Sequence, residues 1–169
     1  MILKIVKYPE PVLLKPGGPV TEFDDELRKL VEDMFETTYA SEGIGLAAPQ
    51  VGVSKRVVVI DLSMGKDPAQ KIVLVNPETV SSEGKQYEEE GCLSFPDLRE
   101  KVVRASKVRI RAQDENAKWF EMDAEELLSR CFQHEIDHVD GIVFLVRMSA
   151  LKRSLNLRKI RKLQSEGKW

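Results

Sequence analysis

The sequence predicts an α+β fold. A single domain spans residues 1–169, with short, mostly antiparallel sheets packed around a central helix, one helix preceding it and another following it. Three observations predict this. Apolar residues recur at helical spacing in segments beginning at Asp24, Asp123 and Ser149. Short Val- and Ile-rich runs, separated by turn residues, lie between the first two segments. The 169 residues are 42% hydrophobic and 32% charged, with no internal repeat or low-complexity linker, which suits one core.

Residues 1–20 hold Pro9, Pro11, Pro16 and Pro19 with two adjacent glycines, so an extended arm is expected rather than a long helix. From Asp24, Leu27, Leu30, Val31, Met34, Phe35 and Thr38 mark one buried helix face. Asp24 is the expected N-cap, with Asp25 and Glu26 at the positive end of the helix dipole. The helix should stop near Ser41, with Gly43 as its left-handed terminator. Gly43 to Gln50 form an apolar, glycine-punctuated loop: by itself a buried turn, or a place where a ligand backbone approaches and Gln50 offers an amide.

Arg56–Leu62 and Ile72–Asn76 read as buried strands, and Gly84 as a hairpin turn within the polar stretch 79–90. Cys92, behind a glycine and ahead of a proline, is held in irregular or strand-end backbone. Val102–Arg104 and Val108–Ala112 follow as strands, the second with Val108, Ile110 and Ala112 inward and Arg109 and Arg111 outward. Asp114–Ala117 turn the chain into a return strand at Trp119-Phe120. Asp123 with Glu126 resembles a capping box for the central helix, which Gly141 ends. Ile142–Val146 is expected as a last short strand. Ser149 should cap a final helix through Gln164, with Leu151, Leu155 and Ile160 inward and its basic residues outward.

The net charge of −2 predicts no general affinity for nucleic acid, DNA included, or for membranes. That total hides an asymmetry: Arg147 to Ser165 carry seven Lys/Arg and no Asp/Glu, which leaves −9 on the remainder. Two cysteines give no disulfide framework and fit a reducing cytoplasm, as does the missing signal peptide.

Both histidines of the chain fall in Gln133-His134-Glu135-Ile136-Asp137-His138. On a helix, His134 and His138 lie about 40° apart, one turn above the other, so both can bind one metal ion. Glu135, about 60° beyond His138, misses the ion but reaches a water on it. A catalytic metal usually takes a third protein ligand. No third His exists, and Phe144 stands where a longer protease motif would carry one. Cys131 lies about 10.5 Å of helix rise from His138, too far to share its ion. A downstream carboxylate stays open, but none follows Asp140 before Glu166. Cys92 is the best remaining ligand.

The ordered stretches Gly43-Ile44-Gly45-Leu46-Ala47-Ala48-Pro49-Gln50, Glu90-Gly91-Cys92-Leu93-Ser94 and Gln133–His138 resemble the three signature motifs of the peptide deformylases. The likeness covers essentially the whole chain. Val139, where Leu is more usual, and Phe95, where a smaller aliphatic is common, are slight departures. The resemblance implies a metal-dependent hydrolase that removes the formyl group from the N-terminal formyl-methionine of newly synthesised polypeptides, as part of N-terminal methionine processing. It implies Cys92, His134 and His138 as ligands of one divalent ion, Fe(II) in the cell, with Zn, Ni or Co able to replace it. It implies Glu135 as general base and acid, and the Gln50 amide and Leu93 N–H as oxyanion donors. Ile44 and Gly45 would pair with the substrate backbone, Gly43 and Gly91 would also contact substrate, Arg99 would anchor the loop or the substrate backbone, and Ile44, Leu127 and Cys131 would hold the methionine side chain. The basic helix is either a solvated face or, as in similar deformylases, a dock on the ribosome. The rival readings are a zinc endopeptidase sharing only H-E-x-x-H and a non-catalytic, metal-stabilised binding module, against which the intact Glu135 and Gln50 weigh.

Overall fold

The computed structural model describes residues 1–169. Helix α1 (Asp25–Ala40) starts as its cap predicts, the Asp24 carboxylate accepting the Leu27 N–H at 3.0 Å. Leu27, Val31, Met34 and Phe35 are buried along one face. Its end differs from expectation. The Gly43 N–H reaches the Thr38 carbonyl (3.0 Å) and the Glu42 N–H that of Tyr39 (3.1 Å), a closure that puts Glu42, φ 55°, in the left-handed position. At Gly43 the chain instead passes close to Leu93: a Cβ there would lie 3.1 Å from the Leu93 side chain.

Strands β1 (Gly45–Ala47), β2 (Val57–Ile60), β3 (Ile72–Glu83), β6 (Lys107–Gln113) and β7 (Trp119–Glu125) form one antiparallel sheet in the order β1-β2-β3-β6-β7. Strands β4 (Gln86–Cys92) and β5 (Phe95–Arg104) pair as a separate hairpin. The unbroken Val-Val-Val-Ile of β2 is explained by burial on both faces. Val57 and Val59 pack toward α1, Val58 and Ile60 toward helix α2 (Glu126–Val139). On β6, Val108, Ile110 and Ala112 are buried as the alternation predicts. A third cluster joins Phe95, Leu98 and Val102 of β5 to Leu13, Phe144 and Ile160.

Gly84 is a turn, with φ 71°, but makes no hairpin: β3 goes to β6 and β4 to β5, so the chain changes sheets there. The predicted capping box at Asp123 does not form. Asp123 belongs to β7, opposite Arg109, whose guanidinium bonds both its oxygens at 3.0 Å, and α2 begins three residues later without a side-chain cap. Phe144–Arg147 is a 3-10 turn rather than a strand, wedging Phe144 and Leu145 into the third cluster. Helix α3 (Ala150–Ser165) is capped by Ser149 as expected. Its inner face is Asn156 and Ile160, while Leu151 (70%) and Leu155 (52%) face outward. Only a narrow stripe of α3 meets the domain, and its register is set by that packing.

The proline-rich arm does more than wrap. The Val6 N–H bonds the Gln50 carbonyl (2.8 Å) and the Tyr8 N–H that of Ser94 (3.0 Å). It thereby ties together two loops from different parts of the sequence.

Candidate active site

Three segments meet at one cavity of about 610 Å³. From the first, Gln50 sits in a 3-10 turn, Ala48–Val51, fixed by the arm. Its side-chain oxygen accepts the Ala47 N–H at 2.9 Å, which orients the amide so that Nε2 points toward Cys92 Sγ (3.6 Å) and Ser94 Oγ (3.3 Å). From the second, Cys92 ends β4 at a register shift: Gly91 pairs with Arg99, but Cys92 pairs with Phe95. That irregularity re-aims the sulfur. From the third, α2 supplies His134, Glu135 and His138, all buried.

The donor atoms of Cys92, His134 and His138 all lie within 4.8 Å of one another, with Sγ 3.3 Å from His138 Nε2. One sulfur and two imidazole nitrogens suit a divalent transition metal. Electrostatics agree. Burial lowers His134, yet the adjacent Cys92 and Glu90 raise it well above the usual imidazole value, so this cluster already attracts positive charge. Burial, with His134 and Arg104 nearby, holds His138 well below its usual value and keeps its ring neutral. The residues fit a metal ion.

Beneath His134 runs a chain of charges. His134 Nδ1 donates to Glu90 Oε1 at 2.9 Å, which leaves Nε2 for the site. Arg104 clasps Glu90 through two bonds (2.9 and 3.0 Å) and reaches Asp137 at 2.7 Å, while Arg147 bonds both oxygens of Asp137. Glu135 lacks such support: its Oε2 is buried without a partner. Burial pushes its carboxyl up to about 7, with Glu90 adding to the rise and His134 and Arg104 opposing it.

Comparison with known proteins agrees with this geometry. A sequence model of the family described as polypeptide deformylase matches residues 2–154. The chain belongs to that family. It is 66% identical to a peptide deformylase of Acidobacterium capsulatum, over 100% of this chain and 99% of the relative. A crystal structure of a peptide deformylase from Legionella pneumophila is 48% identical, with a TM-score of 0.89 over 98% of each chain. That of Synechococcus elongatus in complex with actinonin is 39% identical, with a TM-score of 0.88 over 93% of this chain and 86% of the other. As a deformylase, the protein is a metal-dependent hydrolase of protein biosynthesis that removes the N-terminal formyl group from newly made polypeptides. The zinc-endopeptidase reading is not favoured.

The expected site residues gather closely. Gly43, Ile44, Gly45 and Gln50 line one wall of the cavity, Gly91, Cys92, Leu93 and Arg99 another, and Leu127, Cys131, His134 and Glu135 a third. His138 sits behind them, 1% exposed. Cys131 is a neutral wall: burial, with the charge of Glu135, pushes its thiol up to about 12, Arg130 opposing. Leu127 is 42% exposed and therefore stands at the rim. Arg99 lies across Gly91, where a Cβ would come within 2.7 Å of its Nη1, and pairs with Glu89.

Sequence reasoning gave no role to Glu90, Arg104, Asp137 or Arg147. One signal was present. Asp137 falls between Ile136 and Val139 on a helix buried along most of its length, and a buried acid requires a partner. Arg130 was also passed over, although it lines the cavity one turn before His134.

Proposed function

We propose that Cys92, His134 and His138 hold one divalent ion, Fe(II) in the cell, and that Glu135 is the general base and acid of deformylation. The reading covers residues 1–169 as a single catalytic domain. When bound, the ion supplies Lewis-acid activation of water and of the formyl oxygen. Glu135 takes the proton of the attacking water and returns it to the departing amine, a task suited to a carboxyl held near neutrality. The Gln50 amide, locked by Ala47, and the Leu93 backbone N–H bind the oxygen on which charge develops.

Strand β1 is the edge of its sheet, paired only with β2, so its free side can accept the formyl-peptide as an added strand along Gly43, Ile44 and Gly45. A Cβ at Gly45 would crowd Glu135 at 3.3 Å, which suits a residue where backbone must come close. Gly91 and Arg99 face the peptide from the β4–β5 hairpin. Ile44, Leu127 and Cys131 enclose the methionine side chain.

The observation that carries this reading is the convergence of Cys92, His134 and His138 beside Glu135 and Gln50 in one cavity. Its test is formate release from formyl-Met-Ala-Ser by anaerobically prepared enzyme, with Glu135→Ala as control. Cleavage of internal peptide bonds instead would return the endopeptidase reading. Air should inactivate the Fe(II) form through oxidation of the ion or of Cys92, and Ni(II) should preserve activity. Zn or Co can also occupy the site.

The reading places the protein in the cytoplasm, on formyl-methionyl nascent chains, with no DNA or membrane partner. Helix α3 exposes Arg158, Lys159, Arg161 and Lys162, a basic face suited to docking on the ribosome. Reversing these four charges should abolish co-sedimentation with ribosomes at low salt while formate release from the tripeptide persists.

A further inference from the structure

One cation in the cavity has no partner. Every other arginine outside α3 bonds a carboxylate or a carbonyl. Arg130 bonds none, and its Nε is buried without an acceptor. The residue is half-buried on α2, beside Cys131 and about 6 Å of helix rise before His134. It lines the same cavity as Ile44, Leu127 and Cys131.

Taking those three residues as the pocket for the first side chain, as proposed above, we infer that Arg130 is a specificity-determining residue that reads the tip of that side chain. Of the three pocket residues, Ile44 and Leu127 are apolar and Cys131 is a neutral thiol. A purely hydrocarbon side chain entering here strips water from the guanidinium and offers nothing in return. A side chain with an acceptor near its end replaces that water. Methionine brings a polarisable thioether sulfur, a weak acceptor. Norleucine has a methylene in the same place. Glutamine has similar reach and a strong acceptor.

The experiment compares kcat/KM for formyl-Met-Ala-Ser, formyl-norleucyl-Ala-Ser and formyl-Gln-Ala-Ser in the metal-loaded wild-type enzyme and its Arg130→Leu and Arg130→Lys variants. The wild type should favour methionine over norleucine by about threefold to tenfold, the size of one net hydrogen bond. In Arg130→Leu that ratio should fall to about 1, and the glutamine substrate should lose about tenfold relative to norleucine. Arg130→Lys should keep an intermediate ratio. Calorimetric binding of the product peptides Met-Ala-Ser and norleucyl-Ala-Ser should show the same change without turnover. An unchanged methionine-to-norleucine ratio in Arg130→Leu, or an equal loss on all three substrates, overturns the assignment.

A Leu127→Trp variant tests the pocket by itself, since filling it should disfavour formyl-Met relative to formyl-Ala. If that shift appears while Arg130→Leu leaves its ratio unmoved, the pocket stands and the role of Arg130 falls. If Leu127→Trp changes neither substrate, the pocket reading fails and the role of Arg130 fails with it.

Discussion

Glu90 and Glu135 line the same cavity and are buried to nearly the same depth, 8% and 6% exposed. Their carboxyls behave oppositely. Burial raises Glu90, but the bonds from His134 and Arg104 outweigh it and bring the group down to about 2. Burial raises Glu135 to about 7, and no hydrogen bond holds its second oxygen. Depth therefore does not assign the roles; partners do. The paired acid is locked as an anion and can only position His134. The unpaired acid can exchange a proton. If this contrast is right, the two residues should fail in different ways when changed.

The largest effect belongs to the unpaired acid. Glu135→Gln keeps size and shape but removes the proton acceptor, so kcat/KM should fall by about 10²–10⁴. Bound metal, measured by elemental analysis, should stay at the wild-type ratio. Loss of metal together with activity would instead make Glu135 a structural residue. Breaking the charge chain should act on stability. Arg104→Met leaves Glu90 and Asp137 without their shared buried cation, at a cost of about 3–5 kcal/mol. The denaturation midpoint in urea should drop accordingly. Glu90→Gln is milder, because an amide oxygen can still accept from His134 Nδ1 and Arg104 keeps Asp137. Metal affinity should weaken by about tenfold to a hundredfold in a chelator competition, whereas the turnover of fully loaded enzyme changes less.

The same distinction explains what could be read from the chain and what could not. The Asp24 cap, the buried face of α1 and the doubly buried β2 depend on neighbours a few residues away, and their patterns are visible locally. The two histidines are likewise a local pattern, and excluding the alternatives, with the ordered motifs, singled out Cys92, whose sulfur the fold brings within 4.8 Å of both. The start of α2 was misplaced because Asp123 is claimed by Arg109 across a strand pair, a contact that no local pattern records. The inner face of α3 differs for a similar reason: Leu151 and Leu155 have the right spacing, but both stay exposed in the fold. Glu90, Arg104, Asp137 and Arg147 come from β4, β5, α2 and the turn after it. As single charges they look like surface residues, and only the fold shows that they form one chain under His134.

A third buried carboxylate sharpens the rule about partners. Asp61 is fully buried and far in sequence from Cys92, His134 and His138, and it meets no cation. Its donors are neutral: the hydroxyls of Tyr39 and Ser63, both at 2.6 Å, and the N–H groups of Ser63 and Gly65. Burial raises its carboxyl, and these donors more than reverse that, leaving it below the usual value of 3.8. A folded-state value below the unfolded one means that its stabilisation is complete above the unfolded value and disappears as pH falls through the folded one. Asp61→Asn should therefore be less stable than wild type at pH 6, by an amount smaller than Arg104→Met. The gap in urea midpoint should narrow as the pH drops below about 4, where the unfolded chain's carboxyl takes up a proton that the folded one still excludes. A gap that stays constant down to pH 2.5 would mean that shape, not charge, holds the Tyr39–Asp61 contact. In that case neutral donors alone do not fix a buried carboxylate, and Glu90 owes its state to Arg104.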